Sequence, residues 1–209
     1  MKALFVAIHK RDTAKIVELL TQKPELVNAV AKQPPKKDNG QSPLQIAFNS
    51  YNIWAAKYFI EHHANLNYME EETAGEWRMP VLHDAINAVM NLARFEYPVD
   101  AWDPEKKGQF EIKGKKEHFD QTFELLEMMI NKGADVHQLD SYGNSSLMRA
   151  FIVAENRWTD TSRPLNKEAI EDFNQVVRLL VANGASLDSA TPTRKPVSYL
   201  FSNLVKQLS

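Results

Sequence analysis

The chain has no cysteine among its 209 residues. This removes disulfides, thiolate nucleophiles and Cys-based zinc sites together, and a reducing compartment suits such a chain. Only seven glycines are present. Helix ends and turns claim several of them, which leaves little for a Gly-rich phosphate cradle, and neither Gly-x-Ser-x-Gly nor His-Glu-x-x-His occurs. No apolar run approaches the roughly 18 residues of a membrane span. The amino-terminal apolar run, about six residues, is too short for a secretory h-region and lacks a small-residue cleavage site. The expected location is therefore the cytoplasm, or outside the cell by a route that uses no cleavable signal. Excess charge is also missing: 25 basic and 27 acidic side chains leave a formal charge of −2. No whole-molecule field draws the chain to nucleic acid or to a membrane surface, so neither is an expected partner.

What the chain does have is apolar residues, 44% of the total, enough for a proper core in one or two domains. They recur in a repeated pattern. The stretches KYFIEHHANLNYM from Lys57, EMMINKGADVHQL from Glu127 and RLLVANGASLDSA from Arg178 each carry helix-period apolar residues, a polar pair, a Gly or His, and then Ala. Upstream of each lies a second shared signature: DNGQSPLQIAF from Asp38, EWRMPVLHDAI from Glu76 and DSYGNSSLMRAF from Asp140. TRKPVSYLF from Thr193 is a weaker copy. The physics is that of a helical hairpin. Ser or Thr caps the first helix, Pro in its first turn loses no needed N–H, and the second helix stops at a Gly C-cap.

These motifs resemble the ankyrin repeat, with its Asp-x-x-Gly-x-Thr-Pro-Leu-His-x-Ala first half and its Gly-Ala-Asp-Val-Asn ending. The match spans nearly all of the chain. LFVAIHKRD followed by TAKIVELLTQKPELVNA is similar to an amino-terminal copy. The resemblance implies an all-α fold, an ankyrin-type helical-hairpin solenoid forming a single domain over residues 1–209. Its repeats fall at about 1–36, 37–72, 73–139, 140–190 and 191–209, giving five first helices and four second helices. The units are padded. The anchoring positions Leu4, Leu44, Leu82, Leu147 and Val197 are 40, 38, 65 and 50 residues apart, against about 33 in the family. Long insertions therefore fall between the two helices of the third and fourth repeats, with shorter ones in the loops AKQPPKKDNG and YMEEETAGEW.

Within the third-repeat insertion, residues 93–102 bring Phe95, Tyr97, Val99 and Trp102 together. Apolar residues in a long loop pack back on the body. The alternation in QFEIKGK suits a small hairpin. Residues 103–117 carry five lysines but four acids, too few unopposed cations for phosphate binding. The acidic MEEET, residues 69–73, reads either as a solvated loop or as an edge that attracts a basic partner.

Candidate metal ligands are His62, His63 and His83 with Asp84. At the end of a second helix, imidazoles bond free carbonyls and favour the helix dipole, and no other ligands stand at metal-site spacing. Neither a cofactor nor a catalytic residue is expected.

Ankyrin-type stacks hold partners with their hairpin tips and the inner face of their first helices. That implication points to Asp38, Asn39 and Gln41, to Glu76, Trp77 and Met79, and to Ser141, Tyr142 and Asn144 as exposed tip residues. On the helix surface it adds Asn49, Ser50, Asn87 and Ala88. Trp77 reads equally as an exposed anchor and as a residue packed under the insertion. The implied function is a monomeric, non-catalytic module that binds another protein, similar to small bacterial ankyrin proteins acting as effectors or as antidotes to toxins. Two readings compete: a metal-dependent or hydrolytic enzyme using His62, His63 and His83 in an insertion-built pocket, and a self-associating structural subunit.

Overall fold

Four helices begin at a side chain that accepts a hydrogen bond from the backbone N–H three residues on. Asp12 starts Thr13–Gln22, Ser42 starts Pro43–Asn49, Asn52 starts Ile53–Glu61 and Ser145 starts Ser146–Arg157. Each such cap satisfies one of the orphan donors of a helix N-terminus. At Ser42 the partner is reciprocal, since Gln45 Oε1 accepts from the Ser42 N–H. The computed structural model describes residues 1–32, 38–71, 77–100 and 102–208; parts of the two short sequence insertions, with Glu76 and Glu72, lie outside them.

Among the described residues the protein is mostly helical. In chain order the helices are α1 (Lys2–Lys10), α2 (Thr13–Gln22), α3 (Pro43–Asn49), α4 (Ile53–Glu61), α5 (Val81–Leu92), α6 (Lys116–Asn131), α7 (Ser146–Arg157), α8 (Lys167–Ala182), α9 (Val197–Leu200) and α10 (Ser202–Gln207). Consecutive helices pack in pairs, α1 on α2, α3 on α4, α5 on α6 and α7 on α8. The first members touch in the order α1, α3, α5, α7, α9, and the second members in the order α2, α4, α6, α8. None of these helices is long and apolar enough to cross a membrane.

The second helices α4, α6 and α8 share one exit. After α4, α6 and α8 the chain turns through a left-handed residue, His63 (φ 66°), Gly133 (φ 99°) and Gly184 (φ 101°). The following alanine, Ala64, Ala134 or Ala185, donates its N–H back to Phe59, Met129 or Leu180, each at 3.0 Å. This is the geometry that a helix uses to satisfy its last carbonyls.

The centre of the core is α5. It touches α3, α6, α7 and α8, and its residues from Val81 to Met90 are buried except for half-buried Asn87. A helix apolar nearly all round belongs inside. The fully buried Phe48, Phe59, Phe95, Phe119, Phe151 and Phe173 fill the layers around it, and each contributes about 1.5–3 kcal/mol by leaving water. Phe151 and Phe173 meet edge to face at 4.8 Å, tying α7 to α8.

The two long insertions emerge between α5 and α6 and between α7 and α8. The first contains the expected hairpin, β1 (Glu96–Pro98) antiparallel to β2 (Phe110–Ile112), with Tyr97 opposite Glu111. Phe95 does pack back on the body, but Trp102 does not: it is 95% exposed. Part of the added length becomes helix. α5 and α6 run for 12 and 16 residues, where α3 and α4 have 7 and 9.

Candidate protein-interaction surface

The turns that join one helix pair to the next line up along one edge of the molecule and are laced together by hydrogen bonds. In the turn before α3, Gly40 O accepts from Tyr68 OH at 2.7 Å and from the Glu71 N–H at 3.2 Å. In the turn before α7, the Ser141 N–H donates to Arg78 O at 3.0 Å and Ser141 Oγ accepts from the Arg78 N–H at 2.9 Å. Thr193 Oγ1 reaches Tyr142 O at 3.0 Å and Thr191 Oγ1 reaches Gly143 O at 2.8 Å. Gly143 sits at φ 78°, and a Cβ there would collide with the Thr193 hydroxyl. Loops held this way form a pre-organised edge, which lowers the ordering cost of binding.

The hub of this edge is Asp140, whose side chain is fully buried. Its Oδ2 accepts from Trp77 Nε1 at 3.0 Å, from Arg149 at 2.7 Å and from Asn144 Nδ2 at 2.8 Å. Its Oδ1 accepts from the Tyr142 and Asn144 N–H groups. Burial by itself would raise the Asp140 pKa. The hydrogen bonds from Asn144 and Trp77 and the charge on Arg149 outweigh burial and hold it below the usual carboxylate value. The Arg149 guanidinium lies 4.8 Å from the Trp77 ring.

The tip residues expected to be exposed divide into two groups. Ser141 and Asn49 are exposed, Tyr142 is 46% and Trp77 38% exposed, and Asn39, Gln41, Ser50 and Asn87 are half-buried. Asp38, Met79, Asn144 and, on α5, Ala88 are buried, which corrects the expectation for those four. For three of them a specific partner is the reason. Asp38 accepts a hydrogen bond from His9 Nε2 at 2.6 Å, Asn144 is consumed by Asp140, and Met79 is held through its backbone by Glu70. Glu76 lies outside the described residues. Trp77 is neither a free anchor nor hidden under the insertion: it leans on the next turn through Asp140 and Arg149.

The acidic loop is corrected in part as well. Glu70 is buried, accepting from Gln41 Nε2 at 2.8 Å and from the Met79 N–H at 2.9 Å, so it braces two turns. Glu71 is exposed.

Behind the edge, α5 carries two titratable side chains with no exposed surface, His83 and Asp84. Burial pushes the His83 pKa down to about 3, helped by the Arg149 charge and opposed by Asp140. Burial lifts the Asp84 pKa to about 8, against the hydrogen bond from Gln45 Nε2 at 2.8 Å. Both are therefore neutral at pH 7. Neither His83 nitrogen makes a hydrogen bond of normal geometry among the described residues, and the nearby Gln138 backbone offsets only part of the cost of burial.

The candidate metal ligands are dispersed. His62 Nδ1 is 2.7 Å from Tyr58 O, its ring stacks on Tyr58 at 3.8 Å, His63 forms the left-handed helix exit, and His83 is inside α5. Among the described residues no group of three His, Asp or Glu side chains could hold a metal ion.

Asp140 and Arg149 organise the edge, yet neither stood among the expected site residues. The available signal was turn chemistry: Asp140 opens the Asp-x-x-Gly turn that ends at Gly143, where its carboxylate bonds backbone N–H groups two and four residues on. Comparison of the chain with protein-family models and with curated proteins returns no match.

Proposed function

We propose that the protein is an ankyrin-type repeat stack and acts as a non-catalytic module that binds another protein along its edge of turns. The observation that carries the reading is the laced edge itself: repeated turns, fixed to one another by backbone hydrogen bonds, leave Ser141, Tyr142 and part of Trp77 facing outward. The matching helix exits at His63, Gly133 and Gly184 support the repeat reading, because the same backbone geometry recurs where the sequence recurs. Asn49 and half-buried Asn87 extend the surface onto the first helices. A shallow, extended, rigid surface suits a protein partner better than an enclosed small molecule. The partner would be held by one protein copy, acting by occlusion or tethering.

Site-specific photo-crosslinking in the source cell tests this. A photoreactive residue placed at Tyr142 or Asn49 should give one discrete, saturable protein adduct, and the same residue at Lys57, exposed on α4, should give none. Equal labelling at all three positions, or labelling at Lys57 alone, would count against the edge as the binding surface.

A further inference from the structure

At the opposite ends of the helices from the laced turns runs a groove that the edge-centred reading leaves unused. Its larger part, about 470 Å³, lies between the α1–α2 turn, the α3–α4 turn and the start of α6, and is lined by Arg11, Tyr51, Trp54 and His118. A second hollow of about 260 Å³ meets it at Leu92 and His118 and continues to Lys115 and Arg157.

Among the described residues the lining of both hollows contains cations and aromatic rings but no carboxylate, although one of the cations, Lys113, pairs with Glu111 outside it at 3.6 Å. Arg11 donates to Ser50 O at 3.2 Å, and Arg157 donates to Asn91 Oδ1 and to Tyr97 OH. Among the described residues, Arg11, Lys115 and Arg157 meet no acidic partner. On a chain of net charge −2, a cleft lined by one sign of charge is a local departure, and low-dielectric walls focus its field. Tyr51 is fixed in the left-handed region at φ 52°. Trp54, 42% exposed, is stacked on Tyr58 at 5.0 Å, and Tyr58 is stacked in turn on His62 at 3.8 Å. A braced aromatic ring loses little freedom when a ligand covers it, and Arg, Tyr and Trp are the residues that dominate binding hot spots.

We propose that this groove binds an extended acidic peptide segment of a partner protein. Its carboxylates would meet Arg11, Lys115 and Arg157, and an apolar side chain would lie against Tyr51 and Trp54. Arg11 lines one hollow and Lys115 and Arg157 line the other, a spread that suits a chain of carboxylates better than a single compact anion. A single-stranded nucleic acid could use the same rings, but its affinity needs more unopposed cations than the groove supplies, and the protein's net charge opposes it. The groove goes beyond the edge-centred reading and neither stands nor falls with it.

Fluorescence anisotropy of the intact protein with dye-labelled probes tests the proposal. The probes are a peptide of alternating Glu, Asp and Leu, its Gln, Asn and Leu counterpart, and a single-stranded oligothymidine of equal length. The acidic peptide should bind best and weaken as salt rises. Arg11→Glu combined with Lys115→Glu, both at exposed positions, should reduce its affinity at least about tenfold, with the circular dichroism spectrum unchanged. Trp54→Ala, also at an exposed position, should weaken it independently, and Tyr142→Ala on the laced edge should leave it alone. The proposal is overturned if the neutral peptide binds as well as the acidic one, if both groove variants bind like the parent, or if the oligothymidine binds more tightly.

Discussion

Trp77 donates its indole N–H at 3.0 Å to Asp140, 63 residues further along the chain. The same carboxylate holds Arg149 at 2.7 Å, and the guanidinium lies over the indole ring. One buried charge thus joins the turn before α5, the turn before α7 and the first helical turns of α7. Removing either partner of a buried ion pair leaves an uncompensated charge, which costs about 3–5 kcal/mol. Asp140→Ala should therefore lower the urea unfolding free energy by about that amount. Trp77→Phe removes the indole N–H donor but keeps an aromatic ring beside Arg149, and should cost nearer 1 kcal/mol. Equal losses would show that the indole, and not the carboxylate, organises the edge.

His63 occupies the left-handed position that Gly133 and Gly184 fill at the equivalent helix exits. A side chain there costs about 1–2 kcal/mol relative to glycine. His63→Gly should raise the melting temperature, because the carbonyl of residue 63 still accepts from Asn28 Nδ2. If His63 were a metal ligand the outcome would reverse: zinc would stabilise the parent protein, and the variant would lose that response.

His83 and Asp84 make opposite contributions to stability as pH changes. The His83 pKa falls from 6.5 to about 3 on folding, so its contribution is complete above pH 6.5 and is lost as pH falls toward 3. The Asp84 pKa rises from 3.8 to about 8, so its contribution is complete below pH 3.8 and is lost as pH rises toward 8. Between about pH 4 and 6.5 the two slopes cancel, and above pH 6.5 only Asp84 acts. Asp84→Asn keeps the acceptor for Gln45 and removes the titration. Its stability relative to the parent should climb by about 1.4 kcal/mol per pH unit between pH 4 and 8. Chemical unfolding across that range measures it, and parallel curves for the two proteins would mean that Asp84 is already ionised at neutral pH.

The parts of the fold that were legible in the sequence are those set by neighbours a few residues away. Ser42 and Ser145 cap because their hydroxyls reach N–H groups three residues on, and the helix exits follow from one left-handed residue and an alanine. The β1–β2 hairpin showed in its alternation. Burial of Asp38 and Glu70 was not legible, since it depends on contacts across whole units: His9 lies 29 residues from Asp38, and Gln41 lies 29 from Glu70. The Asp140 hub was half visible, as the first residue of an Asp-x-x-Gly turn, but its partners Trp77 and Arg149 come from other elements. The groove was least accessible to sequence reasoning. Arg11, Trp54, His118 and Arg157 belong to different helix pairs, and no short pattern links them.

Arg94, at the start of the first insertion, ties that insertion to α8 and to the end of the second. Arg94 donates from Nε, from a terminal guanidinium nitrogen and from its backbone N–H to Asp172, at 3.1, 2.8 and 2.9 Å, and the Asp172 side chain has no exposed surface. Asn166 completes the joint, donating to Arg94 O at 2.8 Å and accepting from the Glu96 N–H at 3.2 Å. The start of the first insertion is thereby fixed to the end of the second and to α8. Arg94→Ala should cost about 3–5 kcal/mol, because the Asp172 carboxylate stays buried with only a backbone donor. Arg94→Lys should recover little, since an ammonium cannot reproduce the forked geometry. Arg94→Met with Asp172→Leu replaces the pair by apolar side chains and should restore most of the loss. Hydrogen exchange locates the effect: Arg94→Ala should lower protection first in Glu96–Pro98 and Phe110–Ile112 and leave α3 and α4 protected. Uniform loss of protection across all helices would instead make the joint part of the global core.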